Sequence, residues 1–314
     1  VAPWWAQAAG MAGGLLAIAP LPMRLRCWSL PLLLPLLLPW VPRPPPGAFE
    51  VVAADVGQGT AVLVRTHSKL LVFDTGPMQS AERNAGERVL VPLLRARGDV
   101  HIESLVLSHR DADHVGGAAS VMAAVHVASL LSSIELDHPL REGTEAPPCM
   151  AGQRWTWDGV HFEVLHPHAS DYARRGVSSN AMSCVLRVED AGGRSLLLTG
   201  DIEAKQEAAI LARGAAVRSN VLMVAHHGSK TSSTPAWLQA VAPEVGIVQA
   251  GYRNRYNHPA LSVVRRIEAH QIQLLRSDEC GAWTRHADAS WHCERTVRKR
   301  YWHHQRAANS NVTR

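Results

Sequence analysis

Short apolar runs recur along the chain from residue 49 onward, and most of them end in a turn rich in glycine or polar residues. Their length predicts strands at 49–55, 61–66, 70–74, 105–107, 125–131, 180–188, 195–201, 221–225 and 245–250, with two more within 155–166. Apolar residues at helical spacing indicate helices at 86–97, 117–124, 235–241 and 261–269. Strands first, then alternating strands and helices, predict a layered α/β domain with its helices outside the sheets.

Two mostly apolar stretches, 4–23 and 27–42, precede this domain, and Arg24 and Arg26 separate them. A bilayer span needs about 20 apolar residues, which the first stretch supplies, whereas prolines weaken the second stretch as a helix. A cleaved signal peptide is disfavoured because a second apolar stretch follows the first and no small-residue cleavage site is evident. We therefore expect residues 1–42 to be the end of a polytopic membrane domain.

The positions of positive charge bear on orientation. If Arg24 and Arg26 mark a cytoplasmic turn, the next segment runs outward and the folded domain lies outside the inner membrane, although Arg43 on the other flank opposes this reading. The sequence begins at Val1 without a methionine, so we expect it to be a piece of a longer protein.

Composition divides the remainder of the chain. Residues 43–48 are predicted to be a proline-rich linker, 49–285 the folded domain and 286–314 a basic tail. The formal charge of +5 and the pI of about 9.2 are mild, and they fit a polyanionic substrate or a membrane neighbour. The charge of the tail is read equally well as a solvated end or as a nucleic-acid contact.

The five cysteines form no CxxC pair, which argues against a zinc ribbon or a thioredoxin-like site. Cys280 and Cys293 could close a loop worth about 3 kcal/mol in an oxidising compartment. Cys184 is predicted to be a core residue, and the role of Cys149 is left open.

The most informative stretch is 105–117, where a buried strand is predicted to deliver a dense set of ligand-type side chains into the next loop. These side chains are His109, Asp111, Asp113 and His114. Imidazole and carboxylate together suit zinc, manganese or iron better than calcium, which prefers oxygen ligands. The alternative is a solvated turn that happens to contain two histidines, and the later motifs argue against it.

Other predicted strands also end in chemically useful residues. Asp201 ends one strand, where a carboxylate can bridge two cations, and His226 and His227 follow another. Asp55 and Asp74 lie at strand ends beside glycines. An Asp–Gly turn is common by itself, but two of them before a metal-type motif favour a role in orienting the ligands.

Six motifs in this order resemble the metallo-β-lactamase-fold domain of the ComEC family, the inner-membrane DNA-uptake channel proteins of competent bacteria. They are Asp55-Val-Gly-Gln-Gly, Asp74-Thr-Gly, His109-x-Asp-x-Asp-His114, Thr199-Gly-Asp201, His226-His-Gly-Ser229 and Asn257-His258-Pro. The apolar N-terminal stretch resembles the end of that family's membrane domain. The resemblance implies an αββα sandwich, preceded by membrane segments, with two divalent cations (Mn²⁺ or Zn²⁺) at the edge of its sheets.

Transferred residue by residue, the resemblance implies that His109 and Asp111 hold one cation and that Asp113 and His114 hold the other. Asp201 would bridge the two, and His227 would complete the second site. The choice between His226 and His227 is open, and His258 could be a ligand instead. The wider superfamily has histidine where this chain has Asp111, a change that favours manganese somewhat.

The remaining site residues are expected to serve the substrate and the ligands. His226, His258 and Asp113 are the candidate catalytic residues, with either histidine facing a phosphate. Substrate contacts are expected from Asn180, Ser229, Lys230, Arg253, Arg255 and Asn257, with Arg110 as a further basic candidate. Asp55, Gln58 and Asp74 are expected to orient the ligands.

The resemblance implies metal-dependent hydrolysis of DNA phosphodiesters, degrading the non-transforming strand during uptake. DNA, the membrane and a competence DNA receptor would be the partners, binding would be independent of sequence, and the oligomeric state is open. A hydrolase of a small phosphodiester or ester is a second reading. A non-catalytic DNA-gripping domain is a third, although such a domain would not need a full set of metal ligands.

Overall fold

The computed structural model describes residues 4–37, 42–80, 83–143, 146–301 and 303. The chain divides into two compact units, Val1–Pro42 and Arg43–Arg314. The described part of the first unit contains the helices α1 (Trp4–Ile18), α2 (Met23–Arg26) and α3 (Ser29–Leu37). Among the described residues, no helix combines the length and the apolar character needed to cross a membrane.

The second unit is built on two seven-stranded sheets. The first sheet has the strand order β16-β15-β1-β2-β3-β6-β7 and the second the order β14-β13-β12-β11-β10-β9-β8, with a separate β4-β5 hairpin. The strands are β1 (Glu50–Ala53), β2 (Val62–Arg65), β3 (Leu70–Phe73), β4 (Met78–Ser80), β5 (Arg83–Asn84), β6 (His101–Leu107), β7 (His126–Ser132), β8 (Arg154–Trp157), β9 (Val160–His166), β10 (Val185–Glu189), β11 (Ser195–Leu198), β12 (Val221–Met223), β13 (Val245–Val248), β14 (Gln273–Arg276), β15 (Trp283–Arg285) and β16 (Trp291–Cys293).

Helices cover the outer faces of both sheets. The helices of this unit are α4 (Val91–Ala96), α5 (Ala112–Val115), α6 (Ala118–Ala124), α7 (Ala169–Tyr172), α8 (Ala204–Ala212), α9 (Pro235–Val241), α10 (Leu261–Ala269), α11 (Ser277–Cys280) and α12 (Glu294–Val297). Residues of α4 and α6 pack on the first sheet and residues of α8, α9 and α10 on the second. The layers are therefore helix, sheet, sheet and helix, which is the αββα arrangement that the family resemblance implies.

The alternation of side chains along each strand explains this layering. In β1, Val51 and Ala53 point into the core between the two sheets, whereas Val52 points into the core beneath the helices. Both faces of the central strands are therefore buried, and β2 and β3 consist entirely of buried residues. This is why those strands read as continuous apolar runs.

Two predicted elements differ from the structure. The predicted strand 180–188 begins only at Val185, because Asn180–Met182 is a 3-10 turn that leads the chain across the strand ends. The predicted helix 86–97 starts as a π-helical turn, Gly86–Leu90. At Gly86 a Cβ atom would lie 2.1 Å from the carbonyl oxygen of Gly117, so only glycine allows the two segments to approach.

Two predicted boundaries also shift. Gly47, in the predicted linker, donates its N–H to the carbonyl of Asp158 at 2.6 Å, so the end of that linker belongs to the folded unit. Strand β16 pairs with β15 beyond residue 285, so the folded unit also extends into the predicted tail. Residues 304–314 of that tail lie outside the described residues.

Two disulfides link distant segments. Cys280 and Cys293 are bonded, with their Cα atoms 4.7 Å apart, as the sequence predicts. Cys149 and Cys184 form a second disulfide, with a Cα separation of 6.0 Å. Cys184 is fully buried in the core, as predicted, but its bond to Cys149 was not predicted.

Candidate metal centre

The ends of four strands converge at one edge of the sandwich. Strand β6 leads into Ser108 and His109, and the short helix α5 carries Asp113 and His114. From the second sheet, β11 leads to Asp201, β12 leads to the turn with His226 and His227, and β13 leads to Gln249. Side chains from both sheets therefore meet at the place where the sequence predicts a metal site.

Asp74 organises the first-sheet side of this edge. Its Oδ1 accepts a hydrogen bond from the Ser108 backbone N–H at 2.7 Å, and its Oδ2 accepts one from the Ser108 hydroxyl at 2.7 Å. Oδ2 also lies 2.7 Å from Nδ1 of His114. Asp74 is completely buried against His114, a position compatible with the orienting role that the sequence predicts for it.

Two overlapping groups of ligand-type atoms are present among the described residues. One comprises His109, His114 and Asp201 and the other Asp113, His114 and His227, and within each group the atoms lie within 4.8 Å of one another. Nε2 of His114 is 3.1 Å from Oδ1 of Asp201, and Nε2 of His227 is 3.3 Å from Oδ2 of Asp113. His114 belongs to both groups, which differs from the predicted pairing of His109 with Asp111.

Several buried atoms of this site make no hydrogen bond of acceptable geometry among the described residues, even where a carboxylate oxygen lies only 3.1 Å away. They are Nε2 of His109, Nε2 of His114, Nε2 of His227 and Oδ1 of Asp201. A buried polar atom without a partner costs free energy, so its presence in a folded protein calls for an explanation. The unpartnered atoms are the nitrogen lone pairs and carboxylate oxygens that a divalent cation binds, and the site therefore fits such a cation.

In His227 and His109, the second ring nitrogen, Nδ1, has hydrogen-bond partners. Nδ1 of His227 lies 2.9 Å from the carbonyl oxygen of Gln249, which directs Nε2 toward the acidic residues. Nδ1 of His109 lies 2.9 Å from the Ser108 hydroxyl and 3.2 Å from the Ser183 hydroxyl. Such partners set the tautomer of a ligating histidine and hold the orientation of its ring.

The turn that carries the paired histidines has an uncommon backbone. His226 and His227 have φ values of 54° and 53°, in the left-handed region that residues with side chains seldom adopt. Gly228 follows with φ of 80°, at a point where a Cβ atom would lie 2.5 Å from Cβ of Pro259. Consecutive left-handed residues place both imidazoles at the site edge, and strain of this kind clusters at functional sites.

The electrostatics favour positive charge at this edge. Burial by itself would lower the pKa of His114, but the carboxylates of Asp201 and Asp74 raise it well above its usual value. Burial by itself would raise the pKa of Asp113, yet the contacts with His227 and the charge of His114 lower it to about 2. Acidic groups this strongly biased toward their charged form provide a favourable environment for a cation.

His226 and His258 lie beside the two ligand groups. Nε2 of His226 lies 3.7 Å from Oδ2 of Asp201 and 3.4 Å from Nδ2 of Asn180. His258 stacks near His227, with ring centroids 6.4 Å apart, and its Nδ1 is buried without a partner among the described residues. Burial and the charges of His227 and His226 lower the pKa of His258 to about 4.

Asp111 lies at the margin of the site. Its Oδ2 is 3.6 Å from Nε2 of His109, its side chain is 42% exposed, and it belongs to neither of the two groups. It precedes α5 with an extended backbone, which leaves its carboxylate nearer the solvent than that of Asp113. Its assignment as a ligand remains a prediction.

In the first glycine-rich loop, Asp55 and Gln58, which the sequence predicts to orient the ligands, make hydrogen bonds to residues outside the two ligand groups. Oδ2 of Asp55 accepts a hydrogen bond from Nη2 of Arg295 at 2.6 Å, so this carboxylate anchors α12. Oε1 of Gln58 accepts the Gly251 N–H at 3.2 Å. The backbone of the same loop reaches the site directly, because the Thr60 N–H donates to the carbonyl of Asp113 at 3.1 Å.

The predicted substrate-binding residues occupy the rim. Ser229 is buried and lies 3.1 Å from the Thr231 hydroxyl, whereas Lys230, Arg253, Arg255 and Asn257 are exposed. Arg110 is also exposed and pairs with Glu135. Ser108, Ser183 and Gln249 also contact the candidate ligands, and nothing in their local sequence distinguishes them from ordinary polar residues beside a core.

Family and relatives

Comparison with known proteins agrees with this fold. The family model of the Metallo-beta-lactamase superfamily matches residues 54–252, so the chain belongs to this superfamily. The chain is 41% identical over 284 residues to Competence protein ComA of Neisseria gonorrhoeae, an alignment that covers 85% of this chain and 39% of that protein. It is 38% identical over 226 residues to Recombination protein 2 of Haemophilus influenzae, covering 71% of this chain and 27% of that protein.

The chain thus spans well under half the length of these two relatives. Their names agree with the resemblance to ComEC-like proteins, which is confirmed. Among solved structures, the chain is similar to Igni18, a metallo hydrolase of the archaeon Ignicoccus hospitalis, with a TM-score of 0.50 at 16% identity. That alignment covers 72% of this chain and 94% of the archaeal chain, and it supports the fold alone.

Proposed function

We propose that this domain is a metal-dependent phosphodiesterase that cleaves DNA. The observation that carries the proposal is the convergence of unpartnered buried atoms from His109, His114, Asp201 and His227 at one sheet edge. Asp113, 3.3 Å from His227, completes the set. Two divalent cations, Mn²⁺ or Zn²⁺, would be held by these residues and would supply Lewis acidity toward a phosphodiester and water.

Other residues of the site would orient the ligands, transfer a proton and contact the phosphate. Asp74, Ser108 and Gln249 hold the imidazole rings in orientation, so that the ligand atoms need no rearrangement when a cation binds. His226 is half-buried above Asp201 and is the candidate that passes a proton to the leaving oxygen. His258, with a buried and unpartnered Nδ1, is the candidate hydrogen-bond partner of a phosphate oxygen.

Basic residues on the rim support DNA as the substrate. Lys230 lies three residues after His227, and Arg253 and Arg255 lie five and three residues before His258. All three are exposed and can contact phosphates without reading bases. Asn180, Ser229 and Asn257 would add polar contacts. Relatives named as a competence protein and a recombination protein support a role in the uptake of exogenous DNA.

The resemblance to the ComEC family supports a role in degrading the non-transforming strand. The domain would do so on the extracytoplasmic side of a bacterial inner membrane, with residues 1–42 ending the membrane part and a competence DNA receptor as a partner.

The decisive experiment is cleavage of single-stranded DNA by the purified chain with Mn²⁺ or Zn²⁺, beside the Asp201→Ala variant. We expect cleavage by the wild type and its loss in Asp201→Ala, with Asp288→Ala, a fully exposed aspartate outside the site, as the matched control. No DNA cleavage together with hydrolysis of a small aryl phosphodiester would favour the small-molecule hydrolase. If neither substrate is hydrolysed although metal is bound, the result would favour a non-catalytic DNA-gripping domain.

A further inference from the structure

The loop that leads to His258 carries two exposed tyrosines flanked by arginines. Its sequence is Gly251-Tyr-Arg-Asn-Arg-Tyr-Asn-His258. Tyr252 is 48% exposed and Tyr256 is 49% exposed. The guanidinium of Arg253 lies 5.1 Å from the centre of the Tyr252 ring, and that of Arg255 lies 4.8 Å from the centre of the Tyr256 ring. Two large rings are thus presented to solvent, each with a cation against it.

The side chain of Asn254 makes four hydrogen bonds within the loop. Nδ2 of Asn254 donates to the carbonyls of Gly251 at 2.9 Å and His258 at 2.6 Å. Oδ1 of the same residue accepts the backbone N–H groups of His258 at 2.9 Å and Tyr256 at 3.2 Å. The tyrosines therefore project from a braced loop, and ordering them for a ligand costs little entropy.

The rings form a path toward the metal centre. The Tyr256 ring lies 5.6 Å from the His258 ring with their planes 24° apart, and the His258 ring lies 6.4 Å from the His227 ring at 25°. Nε2 of His227 is 3.3 Å from Asp113. A planar group stacked at Tyr256 would therefore continue a series of near-parallel rings that ends at the candidate metal ligands.

Resting on the phosphodiesterase function above, we propose that Tyr252 and Tyr256 form a stacking platform for the unpaired bases of single-stranded nucleic acid. A base takes the place of the guanidinium on each ring, and the exposed Arg253 and Arg255 then pair with the flanking phosphates. Aromatic rings that alternate with cations bind single strands in this way without sequence preference, because every base has a π-face. A duplex keeps its bases stacked on one another, so the platform selects single strands.

The platform is tested with oligonucleotides that differ only in their bases. The metal-loaded chain is titrated with a short oligothymidine and with an abasic strand of the same length and charge, both carrying phosphorothioate linkages to slow cleavage. We expect the base-bearing strand to bind at least about tenfold more tightly. The Tyr252→Ala/Tyr256→Ala variant should lose this preference, and the Tyr252→Phe/Tyr256→Phe variant should keep it.

Tyr301→Ala, which removes an exposed tyrosine outside the loop, is the matched control and should keep the preference. Manganese titration of each variant checks that the metal centre is intact. Equal affinity of the wild type for both strands, or an unchanged preference in the double alanine variant, overturns the platform. If the preference follows the rings but no phosphodiester is hydrolysed, the proposed catalytic function fails while the platform stands.

Discussion

Oδ2 of Asp74 lies 2.7 Å from Nδ1 of His114, and both side chains are completely buried. This contact fixes the imidazole so that its other nitrogen, Nε2, lies 3.1 Å from Oδ1 of Asp201. Asp74 follows strand β3 of the first sheet, and Asp201 follows strand β11 of the second. His114 therefore connects the two halves of the sandwich at the candidate metal centre.

We expect the Asp74→Asn substitution to weaken manganese or zinc binding by about 10- to 100-fold, the usual effect of removing a partner that orients a ligand. An amide keeps the shape of the side chain but loses the charge that supports the histidine. Calorimetric metal titration measures the effect, and thermal unfolding verifies that the variant is folded. Asp158→Asn is the control, since that carboxylate bonds Thr66 and Ser68 instead. Equal losses in both variants would contradict an orienting role.

Substitution of each paired histidine should separate ligation from catalysis. His227 is fully buried and its Nε2 lies 3.3 Å from Asp113, so His227→Ala should abolish binding of one cation. His226 is more exposed and lies 3.7 Å from Asp201, so His226→Ala should keep both cations but lower the turnover by about 100-fold or more. Metal content by mass spectrometry and cleavage rates test both expectations. Normal metal content in His227→Ala would reverse the assignment.

The loop 55–59 should tolerate an alanine substitution at Gly57 but not at Gly59. At Gly59 a Cβ atom would lie 2.4 Å from the carbonyl oxygen of Asp113, so Gly59→Ala must displace the loop that carries two ligands. Gly57 has open space around its Cβ position, although its φ is also positive at 78°. Backbone strain is therefore the only expected cost of Gly57→Ala, which makes this variant the matched control.

We expect Gly59→Ala to lose metal affinity or folding yield, and Gly57→Ala to retain metal affinity with a loss of stability of about 1–2 kcal/mol. Metal titration and denaturant unfolding of the two variants make the comparison. Indistinguishable variants would mean that the contact with the metal loop is unimportant.

The sequence was sufficient for the parts of this structure that depend on local pattern. Buried strands that end in His109, Asp201 and His227 are visible as apolar runs followed by ligand-type residues, and strand ends meet at a sheet edge. The layered fold follows from the order of the elements. The six ordered motifs then identified the family, which the family model and the relatives confirm.

The parts that the sequence did not reveal depend on contacts between distant segments. Ser183 reaches His109 and the Asp201 backbone only because residues 180–184 turn across the strand ends. Gln249 orients His227 through a backbone carbonyl, which any residue would possess. The left-handed backbone of His226 and His227 is likewise imposed by the surrounding fold, because this conformation is uncommon for any residue with a side chain.

Removal of the disulfide between Cys280 and Cys293 should destabilise the folded unit. The bond joins α11 to the edge strand β16 across a separation of 13 residues, and a loop of this size is worth about 3 kcal/mol in the chain-entropy model. The Cys280→Ala/Cys293→Ala variant should lower the free energy of unfolding by about that amount, because its unfolded chain is less restricted. Denaturant unfolding under oxidising conditions measures the difference.

Cys27→Ala is the matched control, since this cysteine is exposed and not in a disulfide in the structure. Hydrogen exchange provides a local readout, because Arg295 lies two residues after Cys293 and donates a hydrogen bond to Asp55 at 2.6 Å. Residues 291–297 should exchange faster in the double variant, whereas the strands β2 and β3 at the centre of the sheet should remain protected. Unchanged stability together with unchanged exchange at 291–297 would show that strand pairing alone holds this edge.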